Sequence, residues 1–145
     1  MRWAFNLIYF DEALSSKNKI FAHMIIKDLR AQLDPRSYRS SKGFVEALKD
    51  FSRQGGANLN GFYKFKPSKI LRESGYDIRI VFRVMIKERH VYPSQIRIPH
   101  PNERYCCIEV LFVGMRDRDT YDKRKVKTLK QAQPVFASRK KNKGS

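Results

Sequence analysis

The stretch FYKFKPSKILRESGYDIRIVFRV, residues 62–84, decides how the chain is expected to fold. Apolar and polar side chains alternate at its beginning and again after Gly75, and a period of two is typical of strands that bury one face. Pro67 ends the first alternating run, and Gly75 marks the turn into the second. The stretch therefore predicts a short strand over 62–66 and a long, half-buried strand that begins near Ile78.

Cationic side chains recur on these two predicted strands. Because successive side chains of a strand point to opposite faces, Lys64 and Lys66 share one face, and so do Arg79 and Arg83. The nearly continuous apolar run at 108–113 predicts a third strand in the centre of a sheet. Three more candidate site residues follow it, namely Arg116, Arg118 and Tyr121. Together these strands are expected to present a concentrated cationic surface that suits phosphate groups.

The N-terminal residues predict another strand. Residues 2–10 alternate Trp3 and Phe5, with two further large apolar side chains, against smaller or polar residues such as Ala4 and Asn6. This is the two-residue period of a strand with one buried face.

Two helices are predicted between this strand and residue 62. Apolar residues recur at three- and four-residue steps from about Ser16–Asn18, and Pro35 must stop this first helix. Ser40 or Ser41 is the expected cap of a second helix, which Gly55-Gly56 should end. The two helices are expected to form a hairpin.

The element order predicts an α+β fold with an N-terminal strand, a two-helix hairpin and a three-stranded antiparallel stretch that completes a four-stranded sheet. Residues 1–121 are expected to form the domain. Within it, residues 87–105 contain three prolines and are interpreted as an inserted hairpin or loop at the sheet edge. Residues 122–145 are interpreted as a basic tail, of which the last part should be disordered by itself.

The charge of the chain indicates a polyanionic partner. Its 31 Lys and Arg residues oppose 14 Asp and Glu residues, which gives a formal net charge of +17 on 145 residues. Such an excess destabilises the compact state by self-repulsion, whereas a nucleic acid rewards each neutralised phosphate through counterion release. An acidic membrane is the less favoured partner, because no lipidation motif, basic amphipathic helix or membrane-spanning run was found in the sequence.

Metal and disulfide chemistry are not expected. The two cysteines, Cys106 and Cys107, are adjacent in an apolar run and favour a buried packing role over nucleophilic catalysis. His90 and His100 lack partners at metal-ligand spacing. The first residues are a poor match to a signal peptide because Asn6 interrupts the apolar run, so a reducing cytoplasm is the expected setting.

The motifs YKFK at 63–66, YDIRIVFRV at 76–84 and VGMRDRDTY at 113–121 resemble the RelE/ParE superfamily of bacterial toxins, and within it the RelE-type messenger-RNA interferases. The resemblance extends over about residues 2–121 and implies the RelE-like microbial RNase fold. It also implies a metal-independent endoribonuclease that cleaves messenger RNA on the ribosome without a cofactor. An acidic antitoxin protein is the implied second partner.

The resemblance implies roles for individual residues. Lys66 corresponds to the preferred general base toward the 2′-hydroxyl, Lys64 to a positioning cation, and Arg79 and Arg116 to groups that stabilise charge on the phosphate. Tyr121 would stack on a base or orient the nucleophile. Further RNA contacts are expected from the remaining basic residues of this region, namely Arg83, Arg118, Lys123, Arg124 and Lys125.

Plainer interpretations remain open for the same residues. Lys64 and Lys66 also fit a solvated strand face, and Arg79 also fits an ion pair with Asp77 or Glu73. Arg83 fits a role in the fold as well as a contact to ribosomal RNA. At the level of function, the alternatives are a ParE-like inhibitor of a topoisomerase and a nucleic-acid-binding protein without catalysis.

Overall fold

A computed structural model describes residues 2–10, 16–53, 61–87, 89–92, 95, 106–115 and 123–132. The strands are β1 (Arg2–Phe10), β2 (Tyr63–Phe65), β3 (Ile78–Ile86), β4 (Arg89–Val91) and β5 (Cys106–Met115). The helices are α1 (Ser16–Gln32), α2 (Ser41–Arg53), α3 (Lys69–Glu73) and α4 (Lys123–Gln131), and a short 3-10 turn spans Pro35–Ser37.

The described strands form one mixed sheet in the order β1-β5-β3-β2, with β4 paired to β3. β3 runs antiparallel to β2, β4 and β5, whereas β1 runs parallel to β5. The predicted α+β class is confirmed, although the sheet contains five strands where four were expected. The additional strand, β4, lies within the segment 87–105 that was interpreted as a hairpin or loop.

The limits of α1 and the start of α2 agree with the prediction. α1 begins at Ser16 and ends before Pro35, whose ring cannot continue a helix. The hydroxyl of Ser40 accepts a hydrogen bond from the backbone N–H of Gly43 at 3.1 Å, so Ser40 caps α2. The predicted stop at Gly55-Gly56 lies outside the described residues.

The larger core lies between the helical hairpin and the side of β3 that carries Ile80, Phe82 and Val84, which we term the hairpin face of the sheet. α1 and α2 reach this face through fully buried side chains such as Leu29 and Phe44. Buried residues recur along α1 at three- and four-residue steps, namely Ala22, Ile25, Leu29 and Leu33. This amphipathic spacing places the hairpin on the sheet.

The opposite side of the sheet carries Arg79, Val81 and Arg83 of β3, and we term it the α4 face. Leu129 of α4 packs there in a second apolar cluster with Phe62, Val81, Leu111 and Phe112. A β-bulge contributes to this cluster, since Val81 pairs with Phe112 while Phe82 pairs with Val110. The extra residue, Leu111, places two consecutive large side chains of β5 on the same face.

Among the described side chains of β1, burial differs from the prediction at two positions, Ala4 and Phe5. Phe5 was expected on the buried face, but it is 41% exposed, whereas Ala4 is buried on the α4 face against Met85 and Cys107. Because β1 is an edge strand, the cover over it is incomplete: Trp3 packs under the guanidinium of Arg30 of α1, but Phe5 lies partly in solvent.

Gly61, which precedes β2, contacts residues of β4 and the residue that follows it. Its φ is +95°, and a Cβ atom at this position would collide with the Tyr92 ring. Its carbonyl oxygen lies 2.7 Å from Nε2 of His90. The backbone of Gly61 and the rings of β4 and Tyr92 therefore meet more closely than a side chain would allow.

Replacing Gly61 with Ala is expected to lower the free energy of unfolding by about 1–2 kcal/mol through the positive φ alone, and by more through displacement of Tyr92. Gly75→Ala is the matched control, because Gly75 has φ +93° and no atom of the described residues lies within 4 Å of the position its Cβ would take. Urea denaturation gives the free energy of unfolding of both variants, and the difference between their losses measures the cost of displacing Tyr92. Equal losses in the two variants would contradict the close approach.

Candidate nucleic-acid interface

The strand register brings three chain segments to one end of the sheet. Phe65, the last residue of β2, pairs with Ile80, and Ile80 pairs in turn with Val113. One step further, Arg79 pairs with Gly114, so β3 begins where β5 ends. The end of β2, the start of β3 and the end of β5 therefore lie at the same end of the sheet. This is the geometry that the motif-bearing segments need if they are to form one site.

The two strand lysines differ in their surroundings. Lys64 pairs with Val81 and is half-buried, so its side chain belongs to the α4 face. Lys66 follows β2 directly and is exposed. Lys66 is therefore the more accessible of the two cations to an incoming phosphate.

Arg79 is buried, contrary to the expectation of an open cationic surface. Only 2% of its surface is accessible, and its Nη2 lies 3.1 Å from the Oδ1 of Asp77. The ion pair with Asp77 that the sequence left open is thus observed. Alternation in the sequence identifies the two faces of β3 but does not show whether the second face is covered, and α4 packs on that face through Leu129 beside Val81.

Arg83 is also buried and paired, so the prediction of an open cationic surface is wrong for this residue as well. Its Nη2 donates to Oε1 of Glu109 at 2.7 Å and to the carbonyl oxygen of Ala132 at 2.9 Å. Nδ2 of Asn6 donates to the same Glu109 oxygen at 3.2 Å. Of the two interpretations of Arg83, the contacts are those of a residue that holds the fold.

Three predicted site residues lie outside the described part of the chain, namely Arg116, Arg118 and Tyr121. Of the predicted RNA-binding residues in α4, Lys123 is its first residue, Arg124 is exposed and Lys125 is half-buried.

An exposed basic face of α4 was not recognised in the sequence. α4 reads KRKVKTLKQ, with five cationic residues and no acid. Arg124, Lys127 and Lys130 recur every three residues and are exposed, while Leu129 is buried against the sheet. Leu129 and the nearby Val126 are spaced as the apolar stripe of an amphipathic helix, which is the signal that the high charge obscured.

A ring cluster lies at the β4 edge of the α4 face. His90 stacks on Tyr92 with a centroid distance of 4.7 Å and packs on Phe62 at 5.2 Å. Burial lowers the pKa of His90 below its ordinary value, although the contact with the Gly61 carbonyl opposes this shift. His90 therefore favours the neutral form, in which Nε2–H donates to that carbonyl.

The cysteines are buried, and burial raises the pKa of the Cys107 thiol to about 12. The thiol is thus protonated at neutral pH and is a weak nucleophile. Within the described residues, no group of three or more His, Cys, Asp and Glu side chains is placed to hold a metal ion. Across the same part of the chain, we found no helix that combines the length and apolar character of a membrane span.

Comparison with known proteins gives no relative. The chain matches no protein-family model, no curated protein and no solved structure.

Lowering the pH is expected to destabilise the fold through His90. Because its folded pKa is lowered, the unfolded chain takes up the proton first, so the contribution of neutral His90 is present above about pH 6.5 and is lost as the pH falls through the folded value. His90→Phe keeps a ring between Phe62 and Tyr92 and should flatten the pH dependence of urea unfolding between pH 7 and 5. His23→Asn, at an exposed position of α1, is the control; an equal flattening there would contradict the assignment.

Proposed function

We propose that the chain is a RelE-like endoribonuclease that cleaves messenger RNA on the ribosome and is neutralised by an acidic antitoxin. One observation carries the proposal: the register that brings the end of β2, the start of β3 and the end of β5 to the same end of the sheet. These are the segments that hold the family-like motifs. The net charge of +17 supports a polyanionic substrate.

The proposed reaction needs no group beyond side chains, RNA and water. The Nζ atom of Lys66 accepts the proton of a ribose 2′-hydroxyl, whose oxygen attacks the adjacent phosphorus. The bond from phosphorus to the 5′-oxygen of the next nucleotide breaks, that oxygen takes up a proton from water, and Lys66 returns its own proton to the solvent. The products are a 2′,3′-cyclic phosphate and a 5′-hydroxyl, so no oxidant, reductant or external nucleophile enters.

The structure alters how the proposed roles are divided. Lys66 is exposed and can reach the sugar-phosphate backbone, whereas Arg79 is buried beside Asp77. We therefore assign Arg79 an indirect role, in which its buried positive charge adds to the potential at the site. The direct contacts with RNA are assigned to Lys66, Arg116 and Tyr121. Lys64, on the same face as Arg79, remains the positioning cation.

Replacing Lys66 tests whether this residue acts as a base or only as a charge. Lys66→Ala should slow cleavage by roughly 10²–10⁴-fold, the range of general base catalysis. Lys66→Arg should be comparably slow, because a guanidinium keeps its charge and does not lose its proton. Cleavage of messenger RNA is measured by primer extension in a translating extract, with Lys42→Ala of α2 as the exposed control.

Two results would count against this proposal. Full cleavage by Lys66→Arg would show that Lys66 contributes its positive charge and does not act as a base. Growth inhibition that persists unchanged in Lys66→Ala and Arg116→Ala would favour the ParE-like activity instead.

A nucleic-acid-binding protein without catalysis is the second candidate, and the burial of Arg79 and Arg83 favours it. Two arginines expected at the site are paired with carboxylates, while the exposed face of α4 offers cations and no acid. On this view the chain holds RNA through α4 and leaves the phosphate bond intact.

The triple variant Arg124→Ala/Lys127→Ala/Lys130→Ala tests the α4 surface under either candidate. Each lost phosphate contact on a single strand should reduce the slope of log affinity against log salt by about 0.7, so the slope should fall by about 2. The charge-matched control is Lys27→Ala/Arg39→Ala/Lys42→Ala on the helical hairpin. Equal changes in the two triple variants, in fluorescence anisotropy with single-stranded RNA, would show that net charge and not α4 governs binding.

A further inference from the structure

β2 and β4 lie end to end along one edge of β3, because β5 occupies the whole of the other edge. β2 pairs with residues 80–82 of β3 and β4 pairs with residues 84–86, so the two short strands meet beside Arg83. Nη2 of Arg83 donates to the carbonyl oxygen of Ala132, just after α4, at 2.9 Å. The junction of β2 and β4 therefore adjoins the C-terminal end of α4.

Three aromatic rings are stacked at this junction, and we term them the ring column. Phe62, just before β2, packs on His90 of β4 with a centroid distance of 5.2 Å, and His90 stacks on Tyr92 at 4.7 Å with 12° between the planes. Phe62 is 1% exposed and shares an apolar cluster with Leu129 of α4, whereas Tyr92 is 39% exposed. The ring column thus begins in the core beside α4 and ends in solvent at Tyr92.

The ring of Tyr92 is held in one orientation by its surroundings. His90 lies against it, and the backbone of Gly61 approaches it more closely than a side chain would allow. The backbone N–H of Tyr92 donates to Oε1 of Gln95 at 3.4 Å, and the N–H of Gln95 donates to the Tyr92 carbonyl at 2.8 Å. A side chain that is ordered in advance loses little conformational entropy when a ligand packs on it. Tyr92 therefore presents a preformed aromatic surface.

α4 supplies positive charge beside this surface. Arg124, Lys127 and Lys130 are exposed, and the helix contains no acid. Lys130 lies two residues before Ala132, so the row of cations ends close to the ring column. Cations that follow a phosphate backbone, next to an aromatic ring that accepts a base, are the two components of sites for single-stranded nucleic acid. A duplex fits less well, because its bases are already stacked on one another.

We propose that Tyr92 is a base-stacking residue for single-stranded RNA, on which one nucleobase packs while the exposed cations of α4 bind the neighbouring phosphates. The inference rests on the proposed RNA substrate and deepens it, since it adds a base contact outside the family-like motifs. It does not depend on cleavage. Every base has a π face, so this contact adds affinity and little sequence preference.

Replacing Tyr92 with Leu tests the stacking contact. Leucine keeps an apolar cover over His90 but has no π face, so the variant should bind a labelled single-stranded RNA at least about fivefold more weakly, the lower end for loss of one base–aromatic stack. The slope of log affinity against log salt should stay unchanged, because no phosphate contact is lost. Tyr92→Phe keeps the ring and should bind as the wild type does. Fluorescence anisotropy measures all three proteins.

Two controls separate the base contact from charge and from folding. Inorganic polyphosphate is a polyanion without bases, so its affinity, measured by isothermal titration calorimetry, should be the same for Tyr92→Leu and the wild type. Phe5→Leu removes a ring of similar exposure, 41%, from the hairpin face of the sheet. This variant should bind RNA with unchanged affinity.

Photocrosslinking locates the contact in the wild-type chain, and so does not depend on the folding of a variant. Single-stranded RNA that carries 5-iodouridine couples under ultraviolet light to an aromatic side chain stacked on the base. Mass spectrometry of the digested complex should identify a crosslinked peptide that contains Tyr92.

Four results would overturn the stacking role. They are equal weakening of RNA and polyphosphate binding by Tyr92→Leu, an equal loss of RNA affinity in Tyr92→Phe, an equal loss in Phe5→Leu, and crosslinks that omit Tyr92. Failure of the nuclease would look different. A wild-type chain that shows the base-dependent binding but leaves messenger RNA on programmed ribosomes intact would overturn the nuclease and support the inference.

Discussion

The ladder between β3 and β5 is the interaction on which the remaining structure depends. Its nine residue pairs run from Ile78 opposite Met115 to Ile86 opposite Cys106. It supplies the hairpin face, on which α1 and α2 pack, and the α4 face, which carries the buried polar side chains. The same ladder sets the relative positions of β1 and β2, which pair with its two outer edges. A shift of one residue would exchange the faces of every side chain on a strand, so both the core and the candidate site rely on this register.

Positive charge is distributed in two distinct ways. Inside the fold, Arg79 and Arg83 each have a carboxylate, Asp77 and Glu109 respectively, because an unpaired buried guanidinium would be very costly. Outside, exposed residues such as Lys66 and the outer side chains of α4 account for part of the large net charge. The buried arginines thus shape the molecule, and the exposed cations are the groups that a polyanion can reach.

Local sequence signals predicted much of the backbone and little of the burial. Periodicity and caps gave α1, α2 and the long strands, because Pro35 and Ser40 act on their immediate neighbours. Arg79 and Arg83 were expected at the surface because alternation identifies two faces without showing what covers the second one. α4 packs on that face through Leu129, an apolar residue that is hard to recognise in the sequence because lysines surround it. Glu109, alone in an apolar strand, was the sequence signal for a buried partner of Arg83.

The parallel pairing of β1 with β5 has a consequence for how the protein is made. Asn6 and Glu109, which share a hydrogen bond, are 103 positions apart in the chain. During synthesis, β1 leaves the ribosome first and finds no strand to join until β5 has emerged, so its edge and the Phe5 ring stay uncovered for most of translation. Contacts of such long sequence separation also slow folding after release. β1 is therefore among the last parts of the fold to be secured, and in that interval the positive net charge of the chain opposes association with other copies.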